Sequence, residues 1–142
     1  MGDSQSEPVF LIDTSGLSEL ARTKSNSLKD FCLDLLENGD IAVPTIVWKE
    51  FSDLYDEEAA QLAPSVTKKI KVTKKHYVAA AQIADKSNPG FSMSPYDNQS
   101  DWYTAAICYV KGYTLLTSAS QMAKYKKMNC CTVTTLGSIT TA

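Results

Sequence analysis

The chain is expected to form a three-layer α/β/α domain around a central parallel sheet, and three observations predict it. Short apolar runs alternate with amphipathic stretches, the order of elements that builds a parallel sheet with helices on both sides. The first run, Val9-Phe10-Leu11-Ile12, is apolar on both faces, as a strand covered from both sides must be. The 142 residues are 44% hydrophobic, which suits one core, and no internal repeat or second domain is visible.

Each element follows from local signals. After Ile12, Thr14 or Ser15 can cap a helix starting near Gly16. Ser27 is expected to cap a second helix with Leu28, Phe31, Cys32, Leu35 and Leu36 on one stripe. Gly39-Asp40 turns the chain into a strand over 41–43, and Pro44 suits the first turn of a helix carrying Val47, Phe51 and Leu54 inward with Glu50 beside them. Residues 57–63 read as a short helix ended before Pro64. The lysine-rich stretch 65–75 leads into a helix over 76–85, and residues 87–95, rich in Ser, Gly and Pro, read as a loop. Asp97 can cap the next helix, which carries Asp101 and ends at Gly112. Strands are expected at 114–117 and about 130–135.

Three carboxylates stand out by position. Asp13 closes the first strand, and ligands in open α/β folds bind outside the carboxyl ends of strands. Asp101 shares its helix face with Ala105 and Cys108, at the i+4 and i+7 positions, so it points inward. Glu50 lies between Val47 and Leu54 on an apolar stripe. Acids converging on one sheet edge repel unless a cation offsets them, which favours Mg²⁺ or Mn²⁺ held by oxygen ligands. Taken singly, Asp13 could simply cap the helix that follows it, Glu50 could be an exposed helical acid, and Asp97 could be a cap that also lends an oxygen. Thr14, Ser15, Thr117 and Ser120 are placed to orient carboxylates or waters around such a site.

Net charge is −2, but residues 1–58 hold 13 acids and 4 bases while residues 59–142 hold 3 acids and 10 bases, balances of −9 and +7. In the basic half, Lys68, Lys69 and Lys71 could follow a phosphate backbone, although lysine runs are commonly solvated faces. Trp102 and Tyr103 could stack on bases, with packing the stronger reading for Trp102. Cys32, Cys108, Cys130 and Cys131 have no CxxC spacing and His76 is the lone histidine, so zinc is not expected and reduced thiols in a cytoplasmic setting are. No stretch approaches a membrane span and no charged-then-apolar leader is visible. Met1-Gly2-Asp3-Ser4-Gln5-Ser6 meets the loose N-myristoylation pattern, which short polar starts meet by chance.

The layout resembles the PIN domain, a family of small metal-dependent ribonucleases that includes many toxins of bacterial toxin–antitoxin pairs. The resemblance rests on residues 10–15, residues 43–51, Asp101 with Thr104-Ala105-Ala106, and Gly112-Tyr113-Thr114-Leu115-Leu116-Thr117. The polar start over 1–8 reads as a disordered segment, and the resemblance implies a single PIN-like domain over 9–142. It also implies a Mg²⁺- or Mn²⁺-dependent endoribonuclease with Asp13, Glu50 and Asp101 as catalytic ligands, to which Asp97, by its spacing four residues before Asp101, could add an oxygen. RNA is the implied substrate, with an antitoxin and a second copy of the chain as candidate protein partners and no membrane.

One departure matters. The family places a fourth acid two residues after the Leu-Leu-Thr strand, where this chain has Ala119 and then Ser120. One firmly held ion is therefore expected, with the second weak or absent. The alternative function is a catalytically impaired module that binds RNA or protein. A phosphotransferase of the haloacid dehalogenase type, with Asp13 as nucleophile, ranks lower because Ser15 stands where that family has its second Asp.

Overall fold

The computed structural model describes residues 7–87 and 99–141. Asp97, most of the expected 87–95 loop and residues 1–6 lie outside them. Five short strands form one parallel sheet: β1 (Phe10–Ile12), β2 (Ile41–Pro44), β3 (Lys69–Ile70), β4 (Thr114–Thr117) and β5 (Val133–Thr135), in the order β3-β2-β1-β4-β5. Helices α1 (Thr14–Arg22), α2 (Asn26–Glu37), α3 (Thr45–Leu54), α4 (Asp56–Leu62), α5 (Lys74–Ser87), α6 (Gln99–Lys111), α7 (Met122–Met128) and α8 (Leu136–Thr141) cover both faces.

Alternation along the central strands assigns the layers, because successive side chains leave a strand on opposite faces. Leu11, Ala42 and Leu115 face the α5, α6 and α7 layer, packing with Ile83, Trp102, Ile107 and Met128. Ile12, Ile41, Val43 and Leu116 face the other layer, packing with Leu17, Leu20, Leu36, Val47, Phe51 and Leu136. This is the three-layer architecture the sequence predicts. Among the described residues no helix is long and apolar enough to cross a membrane.

Several local expectations are corrected. Ser25 rather than Ser27 caps α2, its side chain accepting from Leu28 N at 3.2 Å. Phe31 is 41% exposed and Leu54 61% exposed, although helical periodicity placed both inward. The buried stripe of α2 is centred on Cys32 and Leu36, one residue round from Phe31, and Leu54 is the last residue of α3. The edge strand β3 adds a fifth strand to the four expected, and β5 begins at Val133, past both cysteines. Helices α7 and α8 were not anticipated. All four cysteines are free thiols, with Cys32 and Cys108 buried. Trp102, 1% exposed, is a packing residue.

One buried titratable group lies far from the sheet edge. His76, 2% exposed, accepts the Thr73 N–H through Nδ1 at 3.0 Å at the start of α5. Burial and the nearby Lys111 and Lys75 hold its pKa below the ordinary 6.5. The unfolded chain therefore takes up this proton first, so the stabilisation is present above pH 6.5 and is lost as pH falls below it. Thermal melting should drop between about pH 7.5 and about pH 5.5, and His76→Gln should flatten that drop. Equal slopes for the two proteins would contradict this assignment.

Candidate active site

The strand order reverses beside β1: the chain steps outward through β2 and β3, then returns to place β4 on the other side of β1. At such a switch point the loops leaving neighbouring strands part and open a crevice at their carboxyl ends. Asp13 follows β1 at that point and Thr117 ends β4 beside it.

Asp13 is extended (φ −97°, ψ −180°) and caps α1. Its Oδ1 accepts from Gly16 N at 2.7 Å and Ser15 Oγ at 3.0 Å, and its Oδ2 from Thr117 Oγ1 and the Tyr125 hydroxyl, each at 2.7 Å. The carboxyl is 1% exposed. Burial raises its pKa above the ordinary carboxylate value; the hydrogen bonds from Thr117, Gly16 and Tyr125 oppose that rise, and the charge of Asp101 adds to it. The helix-cap reading of Asp13 is met, and the same side chain lines the cleft.

Asp101 reaches the crevice from the first turn of α6. Its Oδ1 accepts from the Tyr125 hydroxyl at 2.8 Å, and its Oδ2 pairs with Lys124 Nζ. The Tyr125 phenol therefore lies between two carboxylates with one proton to give. Burial first, then the charges of Asp13 and Asp101, push its pKa well above 10 and keep it a neutral donor. Glu50 comes from α3, exposed, with Oε1 accepting from Thr14 Oγ1 and from Ser100 Oγ at 2.7 Å.

Asp13, Glu50 and Asp101 line one cleft of about 490 Å³, together with Thr14, Ser15 and Ser120. Thr117 lies beneath it, 0% exposed. Ser120 is 3.2 Å from Ser118 Oγ, and both serines line the cleft whereas Ala119 does not, so position 120 is the better placed for a further ligand. Lys68, Lys69 and Lys71 are not among the lining residues; Lys69 belongs to the edge strand, with its ammonium 5.1 Å above the Trp48 ring. The bases of the cleft are Arg22 and Lys124.

Hard oxygen donors of this kind suit Mg²⁺ or Mn²⁺ by their chemistry. Among the described residues, however, no three His, Cys, Asp or Glu side chains gather closely enough to hold a metal ion. The positive charge against Asp101 is the Lys124 ammonium.

Sequence reasoning missed Tyr125, Ser100 and Glu19, and singled out Lys124 only as one of a second lysine cluster, with Lys111, Lys126 and Lys127, that could follow a phosphate backbone. Glu19 lines the cleft with a buried Oε1 that has no hydrogen-bond partner, and burial raises its pKa. Tyr125 and Met128, three apart and followed by the left-handed Asn129 (φ 51°), were the available signal for α7.

No protein-family profile and no curated protein matches the chain. Solved structures do. FitAB bound to the IR36 DNA fragment is similar at 18% identity and a TM-score of 0.65, over 89% of this chain and 94% of that one. The DNA-bound VapBC from Salmonella typhimurium is similar at 14% identity and a TM-score of 0.68, over 91% and 98%. VapBC2 from Rickettsia felis, bound to a DNA fragment from their promoter, is similar at 16% identity and a TM-score of 0.68, over 89% and 97%. At these identities the likeness is one of fold, and the chain has the PIN-like three-layer α/β/α fold that its sequence implied.

Proposed function

We propose that this PIN-like domain is a divalent-cation-dependent endoribonuclease centred on the acid cleft, acting as the toxin of a toxin–antitoxin pair. The observation that carries this reading is that Asp13, Glu50 and Asp101, from three separate elements, line one cleft at the switch point of the sheet. Lining one cleft with acids costs free energy that a cation would offset; Asp13 and Asp101, already bridged by Tyr125, would hold Mg²⁺ or Mn²⁺ once Glu50 closes on it from the cleft mouth. Bound there, such an ion supplies an acidified water and offsets charge on phosphodiester oxygens.

The chain's own residues do the rest. The Gly16 N–H and the Thr117 and Ser15 hydroxyls fix the orientation of Asp13, while Thr14 and Ser100 orient Glu50. Arg22 and Lys124 put positive charge on the cleft wall, where a substrate phosphate is attracted. The resemblance to the PIN family supports a neutralising antitoxin as protein partner, and four free thiols suit a reducing cytoplasm.

Lys68, Lys69 and Lys71, away from the cleft, are proposed to hold RNA backbone. Changing all three to Gln should weaken RNA binding and reduce the slope of log affinity against log salt by about 2, as expected for three single-strand phosphate contacts. An unchanged slope would return them to a solvated face.

A second reading, an RNA- or protein-binding module without cleavage, is favoured by two particulars: Lys124 stands on Asp101, and neither position 119 nor position 120 is acidic. Incubating the wild-type chain with single-stranded RNA and Mn²⁺ or Mg²⁺ separates the two readings. Cleavage that a chelator stops supports the nuclease; binding with intact RNA supports the module.

A further inference from the structure

Asp101 already has a cation. Lys124 and Asp101 pair within the cleft wall with side chains only 16% and 14% exposed, unlike the exposed pair Lys49–Asp53, at 80% and 65%. Exposed pairs contribute little because water competes for both charges; this one is largely shielded from water. Its setting is also unusual. The next residue, Tyr125, binds the other oxygen of Asp101 and reaches across to Asp13, so one short helix, α7, sets an ammonium and a phenol against two neighbouring acids. The Lys124 ammonium lies 5.2 Å from the Tyr125 ring centroid, which adds a further attraction holding it there.

An ammonium and a divalent cation seek the same carboxylate oxygens, and standing together on Asp101 Oδ2 their like charges would repel at close range. We propose that Lys124 is an internal counter-cation of the acid cleft, which neutralises Asp101 in the ion-free protein and must withdraw for a divalent ion to bind. Lys124 thereby sets the affinity of the cleft for its ion. This rests on the reading of the cleft as a divalent-cation site.

Titration of the full chain with Mn²⁺ by calorimetry tests it. If Lys124 holds Asp101 about nine-tenths of the time, Lys124→Met should bind Mn²⁺ about tenfold more tightly than wild type, while Lys124→Arg, which keeps the charge, should stay close to wild type. Equal or weaker binding by Lys124→Met would overturn the competition and leave the ion reading intact, as would tightening by Lys124→Arg to the same extent. Absence of Mn²⁺ binding in every variant would overturn both. Should Lys124→Met fail to fold, the wild-type protein still answers. Adding Mg²⁺ should speed amine acetylation of Lys124 severalfold relative to the exposed Lys126, read by mass spectrometry. An unchanged or slower rate would overturn the proposal.

Discussion

Gly16→Ala should lower stability by about 2 kcal/mol, a fall of roughly 6 °C in melting temperature for a domain of this size. A Cβ at Gly16 would stand 2.7 Å from Ile12 Cγ1, 3.0 Å from the Leu116 carbonyl oxygen and 3.2 Å from Asp13 Oδ1. Neither of the first two can retreat cheaply: Ile12 is fully buried and the carbonyl belongs to β4, an interior strand of the sheet. Alanine would gain up to about 1 kcal/mol of helix propensity, which is smaller than the cost of overpacking. The glycine is needed here for space, since α1 must start close enough to the sheet for its Gly16 N–H to meet Asp13 Oδ1. The same substitution should therefore disturb the site as well as the core. An unchanged or raised melting temperature, measured by circular dichroism, would show that this close approach is not strained by a methyl group.

Tyr125→Phe should cost a comparable amount, roughly 1.5–3 kcal/mol, because it removes hydrogen bonding to the buried Asp13 and half-buried Asp101 carboxylates while leaving the ring in place. The hydroxyl is 2.7 Å from Asp13 Oδ2 and 2.8 Å from Asp101 Oδ1, so its loss also leaves two acids facing each other across a small gap. A divalent ion would relieve that repulsion. The rise in melting temperature on adding Mn²⁺ should accordingly be larger for Tyr125→Phe than for wild type, since an ion that binds only the folded state stabilises it by mass action. A variant that melts with wild type in the absence of ion would contradict the bridging role of the phenol.

The parts of the cleft carried by elements with a clear apolar pattern were legible in the sequence. Asp13 is marked by the strand it ends, Asp101 by the inward face it shares with Ala105 and Cys108, and Thr117 by the apolar strand it closes. Glu50 was placed on the right helix but not in the right environment: it is exposed at the cleft mouth and reaches the other acids' neighbourhood through Thr14 and Ser100. What was not legible came from elements without such a pattern. Helix α7 has seven residues, three of them lysine, so its period is weak, and the position of Tyr125 beside Asp13 arises only from the way β4, a 3-10 turn and α7 fold back on the sheet. The two-residue strand β3 offers no alternation to read, and it forms because β2 presents a free edge to it. The exposure of Leu54 and Phe31 has the same origin: periodicity gives a helix face, while the extent of the neighbouring layer decides how much of that face is covered.

Whether the cleft lined by Asp13, Glu50 and Asp101 takes up a divalent ion for RNA cleavage is tested most directly by assaying wild type and Asp13→Asn side by side on single-stranded RNA, with and without Mn²⁺. Asparagine keeps the shape of Asp13 and its acceptor oxygen while removing the charge that would hold the ion. The expected result is cleavage by wild type only when Mn²⁺ is present, and a loss on the order of a hundredfold or more in Asp13→Asn with its fold retained. Cleavage that persists in chelator, or that survives unchanged in Asp13→Asn, would contradict the account.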